Sequence, residues 1–156
     1  CIYDNYYFFV LDGPSDINKG APEYYARILL EDIIKKADAA ISGKGNAADL
    51  RFGHDSSIMP LVSLLQFNEF RFDRKETDPE KVIEKWRLSE ITPMATNIQF
   101  VFFRNGDDIL VKIMHNETEM HLPIQSVKGV FYRWGDIKKF YTDYISSLKY
   151  PSDCIE

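Results

Sequence analysis

Apolar residues at a spacing of three to four alternate along the chain with short runs of two-residue periodicity, which predicts a mixed helix and strand protein. The clearest helical signal runs from Pro22 to about Ile41. Tyr25, Leu29, Ile33, Ala37 and Ile41 recur every four residues, and Ile28 and Ala40 widen the stripe. Pro22 suits a first helical position, and Ser42-Gly-Lys-Gly45 ends the segment. A second helix is predicted from Ser56, with Ile58, Leu61, Val62 and Leu65 as its apolar face and Pro60 in or near its first turn. Asp78-Pro79-Glu80 has the form of a cap followed by a first-turn proline, so a short exposed helix is predicted to about Trp86. Ile137, Phe140, Tyr141, Tyr144, Ile145 and Leu148 predict a last helix over residues 136–148.

Strands are predicted in three places. Tyr6-Tyr-Phe-Phe-Val-Leu11 reads as a buried strand or core segment, and the Gly/Pro-rich stretch 12–20 as a loop. Asp49-Leu-Arg-Phe-Gly53 reads as a short strand. Residues 96–124 read as a meander. A turn at Asn105-Gly106 sets Phe102 beside Ile109, Phe100 beside Val111 and Ile98 beside Ile113. A turn at Asn116-Glu117 sets His115 beside Thr118, Ile113 beside Met120, Lys112 beside His121 and Val111 beside Leu122. Both turns bury the same face, which supports the pairing.

With 156 residues, 45% of them hydrophobic, the chain can build one core, and residues 1–156 are read as a single domain. No apolar run reaches the ~18 residues of a membrane span. The net charge of −5 argues against a nucleic-acid binder but not against a phosphorylated ligand, for which a few placed cations suffice. Without an initiator methionine or a basic leader, the chain is expected to be a piece of a longer protein. Cys1 and Cys154 can pair in an exported protein or remain free thiols. His115, Glu117, Glu119 and His121 resemble a metal cluster in sequence, but the predicted turn breaks their alternation, so no metal site is expected.

The chemistry concentrates in Leu50-Arg-Phe-Gly-His-Asp-Ser56. A histidine and an aspartate stand where a strand ends and a helix begins, and a helix start presents free N–H groups and positive potential to an anion. His54 can donate to a phosphoryl oxygen, and Asp55 can give a proton to a departing alkoxide. The bland alternative is that Asp55 caps the helix and His54 is a core histidine. Arg51, opposite Leu50 and Phe52 in alternation, is a candidate phosphate contact; pairing with a structural carboxylate is the favoured alternative.

Leu50 to Asp55, followed by an apolar helix, resembles the C-terminal His-Asp motif of the histidine acid phosphatases, branch two of the histidine phosphatase superfamily. The preceding helix, the Asn97–Arg104 hairpin, the Asn116-Glu117 turn and the Tyr132-Arg-Trp134 lead-in extend the resemblance over roughly residues 20–148. The arginine-containing form of the motif is similar to bacterial inositol-polyphosphate phosphatases, although many of those carry His-Ala-Glu where this chain has His54-Asp55-Ser56. The resemblance implies the C-terminal portion of a phosphoglycerate-mutase-like α/β/α domain with an added antiparallel meander. It implies a phosphomonoester hydrolase of the phytase or inositol-phosphate type acting through a phosphohistidine. His54 would bind phosphate, Asp55 would be the proton donor, and Ser56 would touch substrate. No cofactor is implied, and a periplasmic or secreted location is.

The family's nucleophile lies in an Arg-His-Gly motif. None of this chain's three histidines, His54, His115 and His121, follows an arginine. The nucleophile is therefore expected in a missing N-terminal half, and this piece alone is expected to be inactive. The alternative reading is a non-catalytic α/β domain that binds phosphorylated ligands or other proteins.

Overall fold

The computed structural model of the chain describes residues 2–151, so the pairing of Cys1 with Cys154 lies outside the described residues. Helix α1 (Ile2–Tyr6) runs into a π-helical turn, Tyr7–Leu11, and a 3-10 turn, Asp16–Asn18. Then come α2 (Ala21–Ile41), α3 (Asp55–Leu65), α4 (Pro79–Lys85) and α5 (Leu88–Ile91). An antiparallel sheet follows, of β1 (Ile98–Asn105), β2 (Asp108–His115), β3 (Thr118–Glu119) and β4 (Tyr132–Arg133), and α6 (Trp134–Ser147) closes the fold. Helices plus an antiparallel meander make this an α/β fold.

Helix α3 lies at its centre. Every residue from Met59 to Leu65 is buried, against a core that includes Phe8, Leu30, Phe67, Trp86, Ile113 and Tyr141. Two hydrogen bonds to other elements fix the helix. Ser63 Oγ donates to the Asp12 carbonyl (2.7 Å), and the buried Tyr141 hydroxyl donates to the Leu65 carbonyl (2.8 Å). Pro60 falls in the second turn rather than the first, at the cost of one intrahelical bond.

The long helix is where periodicity put it, but its buried face is rotated. Ala26 and Leu30 are buried, with Leu29, Ile33, Ala37 and Ile41 partly so, while Tyr25 and Ile28 stand exposed. A stripe drawn at every fourth residue drifts around a helix of 3.6 residues per turn, and packing against α3 selects one side of it. Helix α4 starts as predicted, with the Asp78 side chain accepting from the Glu80 amide (3.0 Å). It is not merely a surface helix, because Val82 and the following Trp86 are fully buried.

The meander holds with two changes. The first turn is Gly106-Asp107, one residue later than predicted, with φ +62° at Gly106. Phe102 thus pairs with Val111, Phe100 with Ile113 and Ile98 with His115. Moving a turn by one residue moves partners by two, so the inward face is preserved. The second turn stands as predicted: Asn116 and Glu117 both have positive φ, His115 pairs with Thr118, and the Met120 amide bonds the Ile113 carbonyl. Val111, however, pairs with Tyr132 of β4, not Leu122. Beyond Met120 the chain leaves β2, the Leu122 amide donates to the Tyr132 hydroxyl (2.8 Å), and His121 turns to Glu69 instead of Lys112.

The strand predicted at 49–53 is absent, and of the two readings of residues 6–11 the core segment holds in part, through Phe8 with Tyr7 and Phe9 packed against the core, while the strand does not. Residues 6–11 are helical, and only Phe8 among 7–11 is fully buried, edge-on to Phe72 and Trp86. An unbroken aromatic run carries no period with which to separate strand from helix. The Asp12 and Gly13 amides both return to the Tyr7 carbonyl, folding the chain back on itself. Residues 49–53 form no strand: they are exposed, and among the described residues no strand pairs with them.

At Gly13 the fold-back leaves no room for a side chain, since an added Cβ would lie 2.5 Å from both the Cα and the carbonyl oxygen of Phe8. Gly13→Ala is expected to cost about 1–3 kcal/mol through overpacking against backbone, measured as a lower urea midpoint with an unchanged slope.

Candidate functional site

His54 is the N-cap of α3, with extended backbone (φ −107°, ψ 168°), and Asp55 is the first helical residue. The apolar run 58–65 demands a buried helix, and residues 54–57 extend from its start into solvent. Hydrocarbon therefore sets the helix position while the first turn keeps its polar groups accessible. The His54 carbonyl accepts from the Ser57 amide (2.9 Å), and Asp55 Oδ1 accepts from the Ser56 amide (2.7 Å). Part of the anion-binding capacity of this helix start is thus already used by the helix itself.

The three histidines differ sharply. His115 is buried, and its Nε2–H donates to the Ile91 carbonyl (2.8 Å); burial pushes its pKa down. His121 Nδ1 lies 2.7 Å from Glu69 Oε1. The exposed His54 ring has no hydrogen bond or ion pair among the described residues, which leaves it free to meet a ligand. It is not a core histidine.

Neighbouring candidates behave differently. Ser56 is exposed beside the pair. Arg51 is held by Asp32 (2.8 Å) and Asp49 (2.7 Å), so its guanidinium ties residues 49–53 to α2. Gly53 needs no special backbone space here, since an added Cβ would meet Ser57 at an ordinary 3.6 Å. Two surface depressions, of about 270 and 300 Å³, lie around Arg71–Lys85 and Asp107–Asp136, and neither is lined by the pair. Among the described residues no group of three His, Cys, Asp or Glu side chains is placed to hold a metal ion.

One residue at the site has no signature in the sequence. Asp12, half-buried after the π-helical turn, lies within the electrostatic reach of Asp55. Burial first, and the Asp55 charge second, raise its pKa to about 6. It came to α3 through the hydrogen bond from the Ser63 hydroxyl to the Asp12 carbonyl, a contact across 51 residues that no local pattern announces.

The exposed, unpartnered His54 followed by Asp55 at a helix start is the motif that the sequence resemblance led to. A sequence model of the histidine phosphatase superfamily (branch 2) matches residues 17–116, which include it. The chain belongs to the histidine phosphatase superfamily, branch 2. It is also 25% identical over 139 residues to human multiple inositol polyphosphate phosphatase 1, covering 81% of this chain and 28% of that protein. To the protein of the same name from Dictyostelium discoideum it is 27% identical over 110 residues, 67% of this chain and 17% of that protein. This histidine phosphatase chain thus spans less than a third of the length of either relative.

The Asp12–Asp55 coupling has a definite sign. A carboxyl whose pKa is raised in the folded state binds more protons than in the unfolded chain, so stability falls as pH rises from 3.8 toward about 6. Asp12→Asn is expected to remove that loss and stabilise the chain at pH 7 by on the order of 1 kcal/mol, discounted because the group is half-exposed and screened. Carboxyl-carbon NMR titration should find Asp12 near 6, falling part of the way toward its ordinary value in Asp55→Asn. An Asp12 that titrates as an ordinary carboxylate in the unmutated chain would contradict the assignment.

Proposed function

We propose that this chain is the C-terminal portion of a phosphomonoester hydrolase of the phytase and inositol-polyphosphate-phosphatase type, and that His54 and Asp55 serve its reaction. The carrying observation is the exposed, unpartnered imidazole of His54 adjoining the carboxyl of Asp55 at the start of α3, in a chain of the histidine phosphatase superfamily. The likeness to two proteins named multiple inositol polyphosphate phosphatase 1 supports the substrate class, a phosphorylated polyol such as phytate.

The reaction needs a second imidazole, carried by an upstream segment, as nucleophile. Its nitrogen attacks phosphorus while the P–O bond to the alcohol breaks. Protonated Asp55 delivers its proton to the departing alkoxide oxygen. Water then attacks phosphorus and breaks the P–N bond, and the Asp55 carboxylate takes the proton that water loses. His54 donates to a phosphoryl oxygen throughout, assisted by the positive end of α3. Ser56, exposed beside the pair, touches the substrate in this scheme. The ion pairs of Arg51 suit it to hold residues 49–53 in place, with direct phosphate contact the secondary assignment.

These 156 residues contribute one side of the centre and are inactive by themselves. No metal or organic cofactor enters this scheme. The location is periplasmic or secreted, a reading that rests on the habit of the family together with Cys1 and Cys154. The second reading, a non-catalytic domain that binds phosphorylated ligands or other proteins, is favoured by the Asp55 hydrogen bond to the Ser56 amide, which engages the carboxyl within the first turn of its own helix.

Kinetics on the polypeptide including its upstream region separate the two. Asp55→Asn should lower kcat on an alkyl phosphate by about 10²–10⁴-fold, the usual range for a lost general acid. The loss on nitrophenyl phosphate should be far smaller, because nitrophenolate leaves with little protonation. Equal losses on both esters would remove Asp55 from the proton-donor role, and absence of phosphate release from the unmutated polypeptide would favour the non-catalytic reading.

A further inference from the structure

The carboxyl assigned as proton donor is engaged in a bond that works against that task. Asp55 Oδ1 accepts from the Ser56 amide at 2.7 Å. A hydrogen bond of that kind favours the ionised form of a carboxyl, whereas departure of an alkoxide needs the neutral form. The same amide is among those that a helix start offers to an anion. A phosphoryl group and Asp55 thus compete for one N–H group, and here Asp55 has it.

The other amides of the first turn do not replace it. The Ser57 amide goes to the His54 carbonyl at 2.9 Å, inside the helix. The Asp55 amide has no partner among the described residues. An oxyanion held by that amide and by the His54 imidazole comes to lie beside the Ser56 N–H, because the amides of a helix start point toward a common ligand. The turn is loose enough to make the change. The Ile58 amide reaches the His54 carbonyl only at 3.4 Å, and Pro60 gives the Ser56 carbonyl no intrahelical donor. Residues 54–57 are exposed, whereas every residue from Met59 to Leu65 is buried. The body of α3 is fixed while its first turn can adjust.

The charged surroundings work in the same direction. Asp12, on the N-terminal fold-back, lies within electrostatic reach of Asp55. The guanidinium of Arg51 is spent on Asp32 and Asp49. His54 is the titratable neighbour on the turn itself. A second like charge beside a carboxylate favours its protonation.

We propose that the phosphoryl group of the substrate takes the Ser56 amide from Asp55, and that this exchange loads the proton donor. The released Asp55 carboxylate takes one proton from solvent. It then passes that proton to the alkoxide oxygen as the P–O bond breaks. Departure of phosphate returns the amide to Asp55 and resets the turn. The Ser56 backbone amide is thereby a positioning group that acts through Asp55, and the donor is charged only when a phosphoryl group is in place. The exchange rests on the phosphatase reading and adds regulation to the same site.

NMR of the polypeptide with its upstream region tests the exchange. Sulfate is the probe, a dianion that takes up no proton itself at mildly acidic pH. Saturation with sulfate should raise the ratio of protonated to ionised Asp55, read from its carboxyl carbon, by at least about 10-fold, the effect of one hydrogen bond to a charged group. The Ser56 amide should move with the same midpoint. Ser56→Pro removes that amide, and a proline fits this place as Pro22 does at the second residue of α2. It should remove most of the rise, whereas Ser56→Ala, which keeps the amide, should retain it. At neutral pH, Asp55→Asn should bind sulfate about 10-fold more tightly, because the competing charge is gone. A residue that only caps the helix would give the opposite sign, and this comparison holds even where Ser56→Pro fails to fold. An unchanged Asp55 ratio at saturating sulfate, an equal rise in Ser56→Pro, or unchanged or weaker binding by Asp55→Asn would overturn the proposal, as would the absence of any saturable response at Ser56. A parallel phosphate-release assay separates the two readings. Release with an unresponsive Asp55 removes the exchange and leaves the phosphatase, whereas an intact exchange without release does the reverse.

Discussion

The burial of helix α3 behind its first turn is the constraint on which the site depends. Residues 59–65 are all buried, and each large aliphatic side chain removed from water contributes about 1.5–3 kcal/mol. A charge or cap at the helix start contributes about 0.3–1 kcal/mol. Hydrocarbon therefore decides where α3 lies, and polar residues 54–57 are carried to a fixed place at little cost to the fold. A site built this way can vary its first turn chemically without moving the helix beneath it.

The same helix gathers distant parts of the chain. Through Ser63 it takes the Asp12 carbonyl, and through Leu65 it takes the Tyr141 hydroxyl, so the N-terminal fold-back and α6 are referred to one axis. Asp12 becomes the electrostatic neighbour of Asp55 as a consequence of that packing. The meander, joined to α6 through β4, closes the core from the other side with Val111, Ile113 and Tyr132.

How much of this was legible in the residues depended on whether the determining interaction was local. Helix α4 was readable because Asp78 and Pro79 act within one turn. The Asn116-Glu117 turn was readable because a two-residue hairpin with positive φ at both positions restricts its residues. The first hairpin was displaced by one residue because Asn105, Gly106 and Asp107 are all good turn formers and only Gly106 takes positive φ among them. The α3 start, and His54 and Asp55 on it, followed from where the apolar run begins. Asp12 and the aromatic turn 7–11 were not legible, since contacts across some fifty residues and the close approach of Gly13 to Phe8 placed them. Residues 49–53 are the instructive failure. Their alternation is real, but a strand needs a neighbour, and none is supplied by the described residues.

The proposed reaction requires a phosphoryl oxyanion to rest against His54 at the start of α3. The most direct measurement is an NMR titration of the polypeptide, upstream region included, with inorganic phosphate, following the His54 ring and the amides of Ser56 and Ser57. Saturable shifts at those groups, lost in His54→Ala while the rest of the spectrum is retained, are the predicted result. Resonances at 54–57 that stay still while phosphate moves only scattered surface lysines would contradict it.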